Sequence, residues 1–243
     1  MSHTIIVCDA HLQRSPDRAS DQAFHRFLHA VPDLGTHLVL NGDVFDFWFE
    51  YRSVIPRSAF PTLAVLSRLR HLGVTLTVTG GNHDRWGGDF FEKELGATFH
   101  RTSVEVDLSG LPALVRHGDG IRELHRGGRV MHAVTRQPIT ARLFRLLHPD
   151  LGFWFVRRMS STLSTHTNVD AVQRQAAEIQ LIYAKEFMQE RRDIDLLVLG
   201  HTHRPAIVEV EPKRWYVNPG AWMDDLRYAV VTPDGPELRT FTP

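Results

Sequence analysis

Apolar residues along this chain repeat with two periods, and the switches between them outline its elements. Short apolar runs at 4–8, 38–41, 74–79 and 196–199 have the length and β-branched content of strands, most of them suited to burial on both faces. Between them lie stretches with the spacing of amphipathic helices. Ala23, Phe24, Phe27 and Leu28 form the inner face of a helix over 20–30, capped by Ser20. Phe60, Leu63, Leu66, Leu69 and Leu72 do the same over 58–72, which Gly73 ends, and Val172, Ala176, Ile179, Tyr183 and Phe187 over 170–192. A short helix over 89–95 closes at Gly96. Further strands are expected within 98–116, broken at Ser109-Gly110, and over 206–210, 215–218, 228–232 and 237–241. Tight turns are expected over 218–222 and at Pro233-Asp234-Gly235. Strands alternating with helices predict an α/β domain around a parallel sheet.

Two stretches break the pattern. From 121 to 166 arginines interleave with large apolar residues, among them Arg142, Leu146, Phe153, Trp154, Arg157 and Arg158. This predicts short amphipathic helices, interrupted near His148-Pro149 and inserted as a cap over about 121–167. The cap either packs on the main domain or offers its apolar face to lipid chains or a membrane surface, with arginines meeting phosphates. Five aromatics crowd into the seven residues 45–51. They form either a flap packed on the core or a wall for a base or acyl chain, with Trp48 in it and Arg52 near a phosphate.

Composition narrows the class. The 243 residues show no linker and no repeat, so a single domain over 1–243 is expected. Acidic and basic residues balance at 28 each, so no global field points to nucleic acid. The one cysteine, Cys8, sits in an apolar strand and reads as a buried filler rather than a nucleophile. No leader pattern precedes the first strand, and no stretch approaches the ~18 apolar residues of a membrane span. A cytoplasmic protein is the expectation.

The chemistry gathers where strands end. Asp9-Ala10-His11, Gly42-Asp43, Gly81-Asn82-His83-Asp84, His117-Gly118-Asp119 and Gly200-His201-Thr202-His203 each follow an apolar run. In open α/β sheets that edge is where ligands bind. Alternation in extended chain puts Asp9 with His11, and His201 with His203, on one side. Carboxylate, imidazole and the neutral carbonyl of Asn82 suit Mn, Fe or Zn. With Asp43 shared, Asp9, His11, Asp43 and His203 could hold one ion, and Asp43, Asn82, His117 and His201 a second. Such a pair acidifies a bridging water and stabilises an in-line displacement. His83 is left to face substrate, with Asp84 expected to hold its ring tautomer. Arg85 borders the same turn.

These five motifs, in this order, resemble the calcineurin-like metallophosphoesterase superfamily over nearly the whole chain. The resemblance implies a four-layered αββα sandwich of two mixed sheets and a two-metal site, often manganese. It also implies attack of activated water on phosphorus, with His83 stabilising the transition state. The aromatic segment 45–48, His117-Gly118-Asp119, the helical insertion and His201-Thr202-His203-Arg204-Pro205 are similar to the UDP-2,3-diacylglucosamine hydrolases of lipid A biosynthesis. That similarity implies cleavage of a pyrophosphate in a lipid-linked UDP-sugar, giving UMP and 2,3-diacylglucosamine 1-phosphate, at the inner membrane surface. No nucleic-acid or protein partner is expected, and the candidate substrate contacts are Trp48, Arg52, Arg85, His125, Arg157 and Arg158. The chain departs from the best-known branch in having His83 where that branch has arginine. It also lacks that branch's Ser-x3-Asn-x2-Lys segment. Another phosphoester substrate, or a non-catalytic scaffold, are the alternatives.

Overall fold

The computed structural model describes residues 3–12, 19–121, 133–135, 137–163 and 169–243, with the side chains of 138, 157, 159–163 and 169 excepted. In chain order the elements begin β1 (Thr4–Val7), α1 (Ala19–Leu34), β2 (His37–Asn41), α2 (Phe60–His71), β3 (Thr75–Thr79), α3 (Phe90–Lys93) and β4 (Thr98–His100). Next come β5 (Ser103–Leu108), β6 (Leu111–Arg116), α4 (Pro138–Phe144), α5 (Pro149–Leu163) and α6 (Val169–Glu190). The chain ends with β7 (Leu196–Val198), β8 (Ala206–Glu211), β9 (Arg214–Asn218), α7 (Trp222–Asp225), β10 (Arg227–Thr232) and β11 (Gly235–Thr240).

Two mixed sheets result, ordered β11-β10-β1-β2-β3-β4 and β5-β6-β7-β9-β8. In the first, β1 to β4 run parallel, and β10 and β11 join antiparallel. In the second, β6, β7 and β9 are parallel between antiparallel edges. Strand alternation sorts the apolar side chains into three layers. Ile5, Val7, Leu38 and Leu40 face α1 and α2, while Ile6 and Val39 point the other way, to meet Val115, Val198 and Val217 of the second sheet. On that sheet's far face Leu114, Leu197 and Tyr216 pack on Ala184 and Met188 of α6. The order is helix, sheet, sheet, helix: the expected four-layer sandwich.

Four local expectations need correction. Helix α1 continues past residue 30 through Pro32 to Leu34. Phe60 and Leu72, at the ends of α2, are exposed, because only Leu63, Leu66 and Leu69 reach the sheet. On α6 the buried stripe is Gln180, Ala184 and Met188, one residue on from the large side chains. Tyr183 and Phe187 lie at the sheet margin instead, under the guanidinium groups of Arg116 and Arg191. The turn at 218–222 opens into α7, whose end is set by Leu226 in the left-handed conformation.

The aromatic segment divides its labour. Trp48 is fully buried, packed on Phe45, Phe90 and Phe91, so it is core and not a substrate wall. Phe47 and Phe49 reach outward to Phe144, and Phe47 also to Phe153, and so seat the cap helices α4 and α5. Helix α1 is held by Phe27, fully buried against Trp222, Tyr228 and Phe241. Phe27→Ala is expected to cost about 3–5 kcal/mol of stability, measured by urea unfolding, through lost burial and a cavity that the surrounding rings cannot close.

Candidate metal centre

All five motif segments converge where the carboxyl ends of β1, β2, β3, β6 and β7 meet. Backbone pairing continues past the strands: the Asp9 amide donates to Gly42 O (3.2 Å), His11 to Asp43 O (2.9 Å) and Leu12 to Val44 O (2.9 Å). In the second sheet the β6–β7 pairing likewise continues, the Gly200 amide donating to His117 O at 2.7 Å. The glycines exist for close approach. A Cβ at Gly81 would stand 2.1 Å from Asp43 Oδ1, and one at Gly42, whose φ is +78°, 2.4 Å from His117 Nδ1.

Three donor clusters emerge: Asp9 with His11 and His203, Asp43 with His117 and His201, and His11 with Asp46 and His83. The first two group donors expected from sequence to be divided between two ions, and the third adds Asp46, which is not among those expected donors. Asp9 Oδ1 lies 3.9 Å from His11 Nε2, 3.5 Å from His203 Nε2 and 3.8 Å from His117 Nε2. Asp43 Oδ2 lies 3.8 Å from His11 Nε2 and 3.2 Å from His117 Nε2, between the first two clusters. Most of these gaps are too long for hydrogen bonds. Two donors each about 2.1 Å from one ion would stand roughly 3.0–3.5 Å apart, a spacing that Asp9 with His203 and Asp43 with His117 meet. Asp9 Oδ1, His117 Nε2 and Asn82 Oδ1 are all buried without a hydrogen-bond partner among the described residues. The residues present therefore fit two divalent ions.

The electrostatics agree. Burial alone would raise Asp9 and Asp43, but His117 beside them outweighs it and holds both carboxyls low. Burial would depress His117 and His203 in turn. Asp43 and Asp9 nevertheless raise His117 well above the usual imidazole value, and Asp224 and Asp9 lift His203 to about 10. His11 is held near 3, chiefly by burial. Burial, then the charge of His117, lowers His201. A field that binds protons this tightly on imidazole favours any cation placed there.

Several contacts were not legible in the motifs. His117 Nδ1 faces the Asn41 carbonyl at 2.9 Å, leaving Nε2 for the carboxylates, while the Asn41 amide donates to Arg116 O and so ties the two sheets together. Asp46 serves two histidines: its carbonyl bonds His83 Nδ1, and its carboxylate lies 3.9 Å from His11 Nδ1. Asp224 on α7 bonds His203 Nδ1 at 3.0 Å. Carboxylates behind ligand imidazoles fix the ring and raise its basicity.

The remaining expected residues fare differently. Asp84 does not touch the His83 ring. Its carboxylate accepts the amides of Gly81 (2.8 Å), Asp43 (3.1 Å) and Val44 (2.8 Å), clasping two loops together. Burial and the nearby Asp43 raise it to about 6. Arg85 is buried and ion-paired with Asp119, so its charge is already committed. Arg52 is exposed on the loop after the aromatic segment. Arg158 lines a cleft beside the cap and not the centre. His125 lies outside the described residues, as does the side chain of Arg157.

A two-sheet sandwich with paired Asp/His clusters at its carboxyl edge defines a metal-dependent phosphoesterase. The chain belongs to the calcineurin-like phosphoesterase family, whose model matches residues 3–205. It is 31% identical to a UDP-2,3-diacylglucosamine hydrolase of Porphyromonas gingivalis over 249 residues, with 94% of each chain covered. A protein of the same name from Salmonella paratyphi B is 29% identical, with 98% of each covered. The solved structure of YfcE, a phosphoesterase from E. coli, aligns with a TM-score of 0.47 at 15% identity, covering 98% of this chain and 92% of that one. Family and named relatives make this a metal-dependent hydrolase.

If Asp84 is a clasp, Asp84→Ala should behave unlike His83→Ala. Leaving buried amides unpaired costs about 1–3 kcal/mol each. Asp84→Ala is therefore expected to lose about 3 kcal/mol or more in urea unfolding, and metal content with it. Equal stability of the two variants would contradict the clasp.

Proposed function

We propose that this protein hydrolyses the pyrophosphate of UDP-2,3-diacylglucosamine, releasing UMP and 2,3-diacylglucosamine 1-phosphate. The observation that carries this reading is near-full-length similarity to proteins of that name, and exposed apolar side chains on the cap support it. Between the loop after the aromatic segment and α5 lies a cleft of about 1120 Å³, walled by Tyr51, Val54, Ile55, Phe153 and Trp154. Arg57 and Arg158 also line it. Leu143, Leu151, Trp154 and Phe155 stand exposed on the cap helices, and Leu146 on the turn between them, an apolar surface suited to acyl chains or the face of a membrane. No helix among the described residues is long and apolar enough to cross a membrane.

In this reading Asp9, His11, Asp43 and His203 hold one divalent ion, and Asp43, Asn82, His117 and His201 the other, with Mn2+ the leading candidate. When bound, the ions supply Lewis acidity toward a phosphoryl oxygen and acidify water. His83 meets His11 in a T-shaped arrangement with ring centroids 4.7 Å apart, and its Nδ1 is committed to the Asp46 carbonyl. Its Nε2 is left to present a proton to the phosphoryl or leaving-group oxygen. Burial opposes that proton, but Asp43 and the Asp46 carbonyl outweigh it and raise the His83 pKa. Asp46 thus takes the tautomer-setting role expected of Asp84.

The test is UMP release from the acylated UDP-sugar by the Mn2+-loaded protein, beside a chromogenic phosphodiester. Turnover of the control alone would move the substrate to a soluble phosphoester and sink the lipid assignment. His83→Ala is expected to keep its metal while kcat falls by about 10²–10⁴, the usual worth of a positioned acid. Asp43→Ala should lose metal and activity together, read by metal analysis of the dialysed protein. Trp154→Ser should raise KM for the acylated substrate about tenfold, roughly 1.4 kcal/mol, and leave phosphodiester hydrolysis unchanged.

A further inference from the structure

We propose that Gln180 is a positioning residue for the metal centre, clamping from α6 the loops that carry His117, His201 and His203. The inference rests on reading those histidines as metal ligands.

Gln180 is 2% exposed, on the stripe of α6 that otherwise buries Ala184 and Met188. Its Nε2 donates to Gly200 O at 2.9 Å. Its Oε1 accepts the Tyr216 hydroxyl at 2.8 Å and the Asn218 amide at 3.1 Å. Asn218 Nδ2 is in turn placed for Thr202 Oγ1 (3.0 Å) and Gly200 O (3.3 Å). Two of the residues in this network, Gly200 and Thr202, flank His201, and Thr202 also precedes His203. The clamp reaches the other loop through shape. Gly118, next to His117, has φ +105°, and a Cβ there would stand 2.6 Å from Gln180 Nε2. The Gln180 head group occupies the space that this glycine leaves open.

A helix facing a sheet needs no amide in its core. A methionine would fill the same volume without the cost of desolvating polar atoms. The amide is matched instead to one task, because both of its ends are satisfied at the base of the His201–His203 loop. That loop requires restraint, since His201 and His203 sit at φ 68° and 59°, a conformation that non-glycine residues leave unless held. Partners behind metal ligands are typically worth about 10–100-fold in metal affinity or activity.

The test compares Gln180→Met with Met188→Ala, which opens a cavity two turns further along the same face and touches neither loop. In the metal-free protein, hydrogen exchange at the amides of 200–203 is expected to be about tenfold faster in Gln180→Met than in wild type or Met188→Ala. Mn2+ affinity by equilibrium dialysis should fall about 10–100-fold in Gln180→Met, and excess Mn2+ should restore kcat on the phosphodiester control. Wild-type exchange in that loop, or Mn2+ affinity matching that of Met188→Ala, would overturn the proposal. If Gln180→Met does not fold, Gln180→Glu, which keeps an acceptor for Tyr216 and Asn218 but loses the donor to Gly200, is measured against the same criteria. A wild-type protein that binds no Mn2+ would overturn the metal reading itself, and loop exchange alone would then decide whether Gln180 is a clamp.

Discussion

Two carboxylates, Asp9 and Asp43, are buried together, and among the described residues no lysine or arginine pairs with either. Removing one such charge from water costs several kcal/mol unless something neutralises it. The buried guanidinium nearest in sequence to the His83 turn, Arg85, is spent on Asp119. Compensation is left to imidazoles and to cations. This one constraint accounts for the rest of the centre. It explains why His117 and His203 are drawn toward their charged forms, and why imidazole rings surround the carboxylates where basic side chains might have stood. It also ties folding to metal, since an ion bound only by the folded state stabilises it by mass action.

Placing those groups carries a second cost, in backbone strain. Eight non-glycine residues among those described have positive φ, and five of them are Asp9, His11, Asp43, His201 and His203. The other three, Ser109, Lys213 and Leu226, lie in turns or at a helix end, where such angles are common. Strain of about 1–3 kcal/mol per residue persists only where surroundings over-determine the conformation. Here the surroundings are visible: the ladder from Asp9, His11 and Leu12 to residues 42–44, the Asp84 carboxylate across three amides, and the Gln180 amide under the 200–203 loop. These supports hold Asp and His donors turned inward that regular extended chain would turn elsewhere.

The contrast between these two layers explains what the sequence could and could not reveal. The layered sheets were legible because strands buried on both faces leave unbroken apolar runs, as at Ile5, Ile6 and Val7 and again at 38–40. The donors were legible because glycine-flanked His and Asp at strand ends are rare in combination. What escaped was the support. Asn41 reads as the last polar residue of a strand, Asp46 as a polar gap among aromatics, and Gln180 as one glutamine on a helix whose large residues suggested a different face. Their roles come from partners 20 to 76 positions away, which no local period encodes. Trp48 and Arg85 misled for the reverse reason. An aromatic or an arginine beside a motif says nothing about whether the core or an acid partner has already claimed it.

The loop after β2 unites the two halves of the proposed activity. Asp46 fixes His83 through its carbonyl, and the adjacent Phe47 packs on Phe144 and Phe153 of the cap. Three residues later the Glu50 carbonyl faces Arg145, while Phe49 lies under the Arg145 guanidinium. Cap and His83 therefore share one short, densely packed stretch of backbone. A cap seated on this stretch cannot shift without straining the residue that orients His83. Binding energy collected far from phosphorus can thus be expressed in catalysis as well as in affinity, because the same backbone carries both. In the proposed activity the apolar cover is part of the catalytic frame, and the substrate it would select is the one whose apolar portion keeps that frame closed.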